Sequence, residues 1–274
     1  MFDYMIEKIR KQAPLIHCIT NYVTVNDVAN ILLAAGGSPI MADDLGEVEE
    51  ITSLCQGLVI NIGTLNQRTT ASMLAAGKKA NELGHIVVLD PVGAGASKLR
   101  TETALQLLKE IHFDVIRGNI SEIKTLALGS GNTQGVDADE ADVVTEDNLD
   151  EMIRLARGLS ERTGAIIAIT GAIDLVVNTN KAYVIRNGNP LMCKITGTGC
   201  MLTGVIAAYV SANRLKAIEA VAAAICVMGY CGEVAYEKLQ LIDGGTSTYK
   251  MLIIDAISKL TDEELKGGCQ IEVQ

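Results

Sequence analysis

The sequence predicts an α/β fold built on a parallel sheet covered by helices on both faces. Three observations carry this. Short β-branched runs recur that are nearly continuously apolar, as strands buried on both faces are. A helical pattern follows most of them, the rhythm of βαβ units. No composition break, internal repeat or low-complexity tract marks a linker, so the 274 residues are read as one domain, 1–274.

In chain order, the strand candidates are "LIHCIT" (15–20), "GLVINIG" (57–63), "HIVVLD" (85–90), "FDVIRG" (113–118) and "GAIIAIT" (164–170). Helical patterns lie near 25–35, 67–83, 101–111, 121–128 and 146–162, the last opening on a Thr145 cap with acidic residues behind it. After Thr170 the rhythm changes to "DLVVN", "KAYVIR" and "LMCKI", read as three short strands. "TN" and "NGNP" separate them, and Asn187-Gly188 is a hairpin signal because both residues tolerate positive φ. The C-terminal third reads as helices over about 198–211, 215–239 and 245–260. The stretch "GSGNTQGVDADEAD" (129–142) reads as a surface loop with a solvated acidic face.

Composition excludes several classes of function. Apolar residues make up 49% of the chain and charged residues 20%, a globular balance. The net charge is -10 and the basic residues are scattered, which argues against nucleic-acid binding. The seven cysteines, among them Cys18, Cys55, Cys226 and Cys231, are odd in number and form no C-x-x-C pair. Reduced thiols in a cytoplasmic protein fit better than a disulfide framework or a zinc site. The N-terminus "MFDYMIEKIRKQ" is amphipathic and has no apolar region of the signal-peptide kind. The apolar run 220–232, between Glu219 and Glu233, is too short to span a bilayer and predicts a buried helix rather than a membrane partner.

In open parallel sheets ligands gather beyond the carboxyl ends of the strands. Five places there carry hydrogen-bonding groups: Thr20-Asn21, Asp90 to Gly95, Arg117 to Asn119, Thr170-Gly171 and "ITGTGCMLTG" (195–204). The last sets a Gly-rich turn between an apolar run and a helix, the arrangement of an anion cradle, although an ordinary connecting turn has the same spacing. It is not a P-loop, since Gly77-Lys78 has neither the upstream glycine nor the hydroxyl residue. "GAGASK" lacks the third glycine of the dinucleotide fingerprint.

Cys200 stands at a helix N-terminus, where a dipole can favour a thiolate. His17, His85 and His112 are the chain's only histidines, and none is placed to serve as its base. Asp90 and Glu122 are two carboxylates at the ligand edge able to hold Mg²⁺ through water. Taken singly they read as a cap and a first-turn dipole partner. Arg117 suits either a phosphate or a structural salt bridge.

Seven segments then align in order: "PLIHCITNYVTVNDVANILLAAGGSPIMADD" (14–44), "NIGTL" (61–65), "DPVGAGAS" (90–97), "RGNISEI" (117–123), "GVDA" (135–138), "ITG" (169–171) and "TGTGCMLTG" (196–204). Together they resemble the hydroxyethylthiazole kinase family, over most of the chain from Pro14 to Gly204. Gly37, Ile120 and Gly204 depart from the family's commoner residues at packing positions.

The resemblance implies a three-layer ribokinase-like fold. It also implies transfer of the ATP γ-phosphoryl group to the hydroxyl of 4-methyl-5-(2-hydroxyethyl)thiazole, with Mg²⁺ assisting. It places Arg117 and Thr170 at the ATP site, and Met41, Gly197, Asn21 and Val23 at the thiazole site. Asn119 and Glu122 match an Asn-x-x-Glu element that organises the metal, with Asp90 as second carboxylate. Gly197, Thr198 and Gly199 would form the anion hole. Cys200 stands where related kinases place a catalytic aspartate, which implies a weak base or positioning group. The family also implies a cytoplasmic homotrimer with sites at subunit interfaces.

Overall fold

A computed structural model describes residues 2–129 and 143–274. Its sheet contains β1 (Leu15–Ile19), β2 (Ser38–Ile40), β3 (Gly57–Asn61), β4 (Ile86–Asp90), β5 (Val115–Gly118), β6 (Ile166–Ile169), β7 (Asp174–Val177), β8 (Ala182–Ile185) and β9 (Ile271–Val273). Among the described residues these form one sheet in the order β2-β1-β3-β4-β5-β6-β7-β8-β9. Pairing is parallel from β2 across to β6 and antiparallel from β6 to β9. The mostly parallel sheet expected from the sequence is therefore present. The chain steps one way from β1 to β2 and the other way to β3, so the strand order reverses beside β1.

Alternate residues of each strand bury on opposite faces, because successive side chains point to opposite sides. Ile16, Cys18, Val59, Val88, Val115 and Ala168 join a core with the helices α2 (Val25–Ala35), α8 (Thr198–Ala212), α9 (Ala217–Gln240) and α10 (Thr246–Lys259). Leu58, Ile60, Val87, Leu89, Ile116 and Ile167 face the other way. They meet α4 (Gln67–Glu82), α5 (Lys98–Glu110), α6 (Ile120–Leu128) and α7 (Leu149–Thr163). Gly204 lets α8 approach α2 closely, since a Cβ there would stand 3.2 Å from Val28 Cγ1.

Local chemistry sets the element ends. Ser97 caps α5 by accepting from the Arg100 N–H, and Asn119 caps α6 in a reciprocal box with Glu122. The Thr145 cap exists, but a 3-10 turn over Glu146–Asn148 precedes α7. α9 is long and apolar enough to cross a membrane by length and composition, more than its central run suggested, and 72% of its apolar window is buried inside the protein.

Some expectations fail. "LMCKI" is no strand: Pro190–Lys194 form a 3-10 turn, with Asn189 accepting from the Leu191 N–H and proline starting the turn. Asn187-Gly188 makes no hairpin. The Asn187 amide instead holds the Gly268 carbonyl and the Gln270 N–H, seating β9 beside β8. The hairpin lies one turn earlier, where Asn178 Oδ1 accepts from the Asn180 and Lys181 N–H groups. The structure adds five elements to those the sequence pattern predicts: α1 (Met5–Gln12), α3 (Val48–Leu54), α11 (Asp262–Gly268), β2 and β9. β2 is a three-residue edge strand containing Pro39, which edge positions tolerate. The expected loop at 129–142, and with it "GVDA", lies outside the described residues apart from Gly129.

Candidate active site

The face occupied by a strand's last side chains follows from its alternation. Continuing Val59, Val88, Val115 and Ala168 by two residues gives Asn61, Asp90, Arg117 and Thr170, all on the α8 face at the carboxyl edge of the sheet. The apolar register that builds the core thus delivers four polar groups to one place. Their neighbourhood is closed by the first turn of α8.

The hydrogen bonds form a connected set. Asn21 Nδ2 donates to Asn61 Oδ1 at 3.0 Å, across the point where strand order reverses. Asn61 Nδ2 donates to Asp90 Oδ2 at 2.8 Å, which also accepts from Thr203 Oγ1 at 2.8 Å. Both asparagine amides lie against Cys200 Sγ, at 3.2 Å from Asn21 and 3.3 Å from Asn61. Asn21 Oδ1 accepts from Thr24 N and Oγ1, and Asn61 Oδ1 from Gly63 N. The donors and acceptors of each amide are thereby assigned by their partners.

Arg117 Nη2 donates to Thr170 Oγ1 at 2.5 Å, and Nη1 stands 3.6 Å from Asp90 Oδ1. Its guanidinium lies directly over Gly199, where a Cβ would come within 2.8 Å of Cζ. Glu122 accepts from Gly93 N and Asn119 N, each at 2.8 Å. Gly197 opens α8 at φ 91, in the region glycine favours, and presses on the Thr24 turn.

Burial governs the protonation states. It raises the Asp90 carboxyl against the pull of Arg117, Thr203 and Asn61. Burial and the Asp90 charge raise Glu122, opposed by its two N–H donors and Arg117. The same two causes raise the Cys200 thiol, opposed by hydrogen bonds from Thr24, Asn61 and Asn21. Cys200 is therefore a neutral thiol at neutral pH, despite its place at a helix start. It has no histidine partner: His17 is buried between Thr52 Oγ1 and the Ala42 carbonyl. All seven cysteines are free.

The donor set fits a hydrated divalent cation. Asp90 Oδ1 is buried with no hydrogen-bond partner among the described residues, and two carboxylates with raised pKa values sit near one arginine. Among the described residues no group of three or more His, Cys, Asp or Glu side chains stands together to cage a metal. Asp90 and Glu122 are the carboxylates that would hold such an ion, with water completing its shell.

The structure brings together Asn21, Asp90, Arg117, Glu122, Thr170, Gly197, Gly199 and Cys200, with Thr198 as the first residue of α8. Met41 lies just beyond β2, half-buried against the α8-side core. Val23 is not drawn into the cluster and is 56% exposed on the Asn21–Thr24 turn, beside Tyr22 at 79%. Asn61 and Thr203 were missed. Asn61 carried the same signal as Asp90, a polar residue ending an apolar strand, and Thr203 is a buried hydroxyl in an apolar helix.

A mostly parallel sheet between two helical layers, with a glycine-started helix and two carboxylates at its carboxyl edge, has the ribokinase-like fold. A ribokinase-like superfamily protein from Enterococcus faecalis shares the fold, with a TM-score of 0.62 at 11% identity over 91% of this chain and 88% of that one. The chain belongs to the hydroxyethylthiazole kinase family, whose model matches residues 6–263. A Clostridium acetobutylicum protein named hydroxyethylthiazole kinase is 61% identical over 272 residues, 99% of each chain. The structure of the hydroxyethylthiazole kinase protein from Pyrococcus horikoshii OT3 gives a TM-score of 0.85 at 33% identity, covering 99% of both chains.

Proposed function

We propose that this chain transfers the γ-phosphoryl group of ATP to the hydroxyl of 4-methyl-5-(2-hydroxyethyl)thiazole, a step of thiamine biosynthesis or salvage. The observation that carries the reading is the convergence of Arg117, Asp90, Asn61, Asn21 and Cys200 in front of the Gly197–Gly199 start of α8.

Arg117 and Thr170 hold the ATP phosphates, and Arg117 reaches them from above Gly199. The amides at Gly197, Thr198 and Gly199 face the transferring group at the positive end of the α8 dipole. Asn21, Met41 and Gly197 form the thiazole side, and the exposed Val23 would join it from across a subunit interface. Asp90 and Glu122 would hold Mg²⁺ through water. When bound, that ion neutralises charge on the phosphate oxygens and helps to align them.

The nucleophile is the substrate's own hydroxyl. Its oxygen bonds to the γ-phosphorus as the bond to the bridging oxygen of ADP breaks. The transition state is loose, so the proton leaves late and a strong base is not required. As a weak base Cys200 would take that proton through its minor thiolate fraction, while the prevailing neutral thiol, hydrogen-bonded at sulfur, positions the hydroxyl. Most of the acceleration comes from the helix-start amides, Arg117 and alignment.

The same reading takes the chain as one cytoplasmic domain assembled as a homotrimer, without nucleic-acid or membrane partners. The exposed Tyr22 and Val23 beside the site support an interface there. ADP release from ATP and the thiazole alcohol, measured with and without Mg²⁺, tests the function. Release that needs both is expected. Equal release with a pyrimidine or pyridine alcohol, or none with the thiazole, would overturn the reading.

A further inference from the structure

Arg100 occupies a position that helix electrostatics disfavours. It is the third residue of α5, at the positive end of the helix dipole. Among the described residues its guanidinium has no carboxylate partner. It donates instead to two main-chain carbonyls, Nη2 to Gly63 O at 2.7 Å and Nη1 to Val92 O at 3.1 Å. These carbonyls belong to the loops after β3 and β4, the strands that supply Asn61 and Asp90.

Each gripped carbonyl is one step from a site side chain. Gly63 donates its own N–H to Asn61 Oδ1 at 2.9 Å. Val92 O and Gly93 N belong to one peptide unit, and the Gly93 N–H donates to Glu122 Oε1 at 2.8 Å. A peptide unit is planar and rigid, so fixing its oxygen also aims its N–H. Gly93 wraps the guanidinium so closely that a Cβ would stand 3.2 Å from Cζ, at a φ of 76 that also favours glycine. Arg100 therefore aims the Gly93 N–H at Glu122 through one rigid peptide, and on the other side it anchors Gly63, whose N–H to Asn61 lies in the preceding peptide unit.

We propose that Arg100 is a positioning residue for phosphoryl transfer, its guanidinium fork setting the spacing of the β3 and β4 loops and thereby the aim of Asn61 and Glu122. This rests on the kinase reading above. A fork is needed because the two carbonyls take hydrogens from different nitrogens, which the single ammonium of lysine cannot reproduce.

The test compares the full-length wild type with Arg100→Ala and Arg100→Lys in the ADP-release assay, each well below its melting temperature. Arg100→Ala is expected to lose about 10- to 100-fold in kcat, the scale of a sub-ångström to 1 Å misplacement, with both KM values within about threefold. Arg100→Lys should recover little, and added guanidinium should restore Arg100→Ala where ethylammonium does not. Arg100→Ala combined with Asn61→Ala should lose less than the product of the single losses, since both break one path. A fully active Arg100→Lys would overturn the inference, as would an unchanged kcat in Arg100→Ala or a loss confined to the KM for ATP. A wild type that fails to phosphorylate the thiazole overturns the kinase reading, and the inference with it.

Discussion

The Asn21 and Asn61 side chains meet where the strand order reverses, Nδ2 of the first 3.0 Å from Oδ1 of the second. Each amide sends one hydrogen along the chain of bonds and the other towards Cys200 Sγ. Sulfur is a weak acceptor, so two N–H donors converge on a place where an oxygen anion would be better served.

Replacing Cys200 separates base from scaffold. Cys200→Ala leaves both amides with an oxygen acceptor each and removes only the weak one. We expect turnover to fall by less than about 100-fold, below the usual range for general-base help, without being abolished. In Cys200→Asp the same two amides would stabilise the carboxylate, and turnover should equal or exceed the wild type. Complete inactivity of both variants, with ATP and the thiazole still binding, would make the thiol indispensable.

Glu122→Gln tests the metal assignment. The glutamine oxygen can satisfy only one of the Gly93 and Asn119 N–H groups, while its amide nitrogen faces the other. A stability loss of about 1–3 kcal/mol is expected from the unpaired donor. The kinetic effect should be a raised Mg²⁺ requirement and a lower kcat at saturating Mg²⁺. If the Mg²⁺ titration and kcat both match the wild type, Glu122 has no part in holding the ion.

Much of this site was legible because strand alternation and the parallel-sheet rule act on sequence alone: an apolar run ending in Asp90 or Arg117 announces a polar group at the ligand edge. Asn61 obeys the same rule, but an uncharged amide at a strand end is a weaker signal than a carboxylate or a guanidinium. Of the two Arg117 readings, the salt bridge has its partner in Asp90, 3.6 Å from Nη1, while the phosphate role belongs to the proposed function. Long-range pairings were not legible. Nothing local in "GCQIEVQ" predicts β9, whose place depends on Asn187 more than 80 residues earlier. The turn chemistry of "NGNP" was real, but its amide serves a distant strand rather than a hairpin.

Gly199→Ala should uncouple activity from stability. Alanine is the better helix former by about 1 kcal/mol, and Gly199 has no positive φ to lose. Its methyl group, however, would occupy the space of the Arg117 guanidinium. Displaced, Arg117 loses Thr170 and its approach to Asp90. We expect kcat/KM for ATP to fall at least about tenfold, equal to ~1.4 kcal/mol of transition-state stabilisation, while the melting temperature holds within a few degrees. Unchanged kcat/KM would show that Arg117 does not need its seat over Gly199.

Asp174 supplies a pH signature separate from the chemistry. Its carboxylate accepts from the Gly171 N–H at 2.8 Å, shaping the turn that presents Thr170, and burial raises its pKa from 3.8 to about 7. Gly171 and the Arg117 charge oppose that rise. Between those pH values the unfolded chain releases the proton and the folded chain keeps it. The unfolded state then binds fewer protons, so this group's contribution to stability falls as pH climbs from 3.8 to about 7 and is level above. Asp174→Asn keeps an oxygen for Gly171 and cannot ionise. Its unfolding free energy, read by denaturant titration, should gain on the wild type through that window, and the advantage should plateau above it, on the order of a few kcal/mol. An advantage independent of pH, or one that grows as pH falls, would show that Asp174 is ionised throughout in the folded protein.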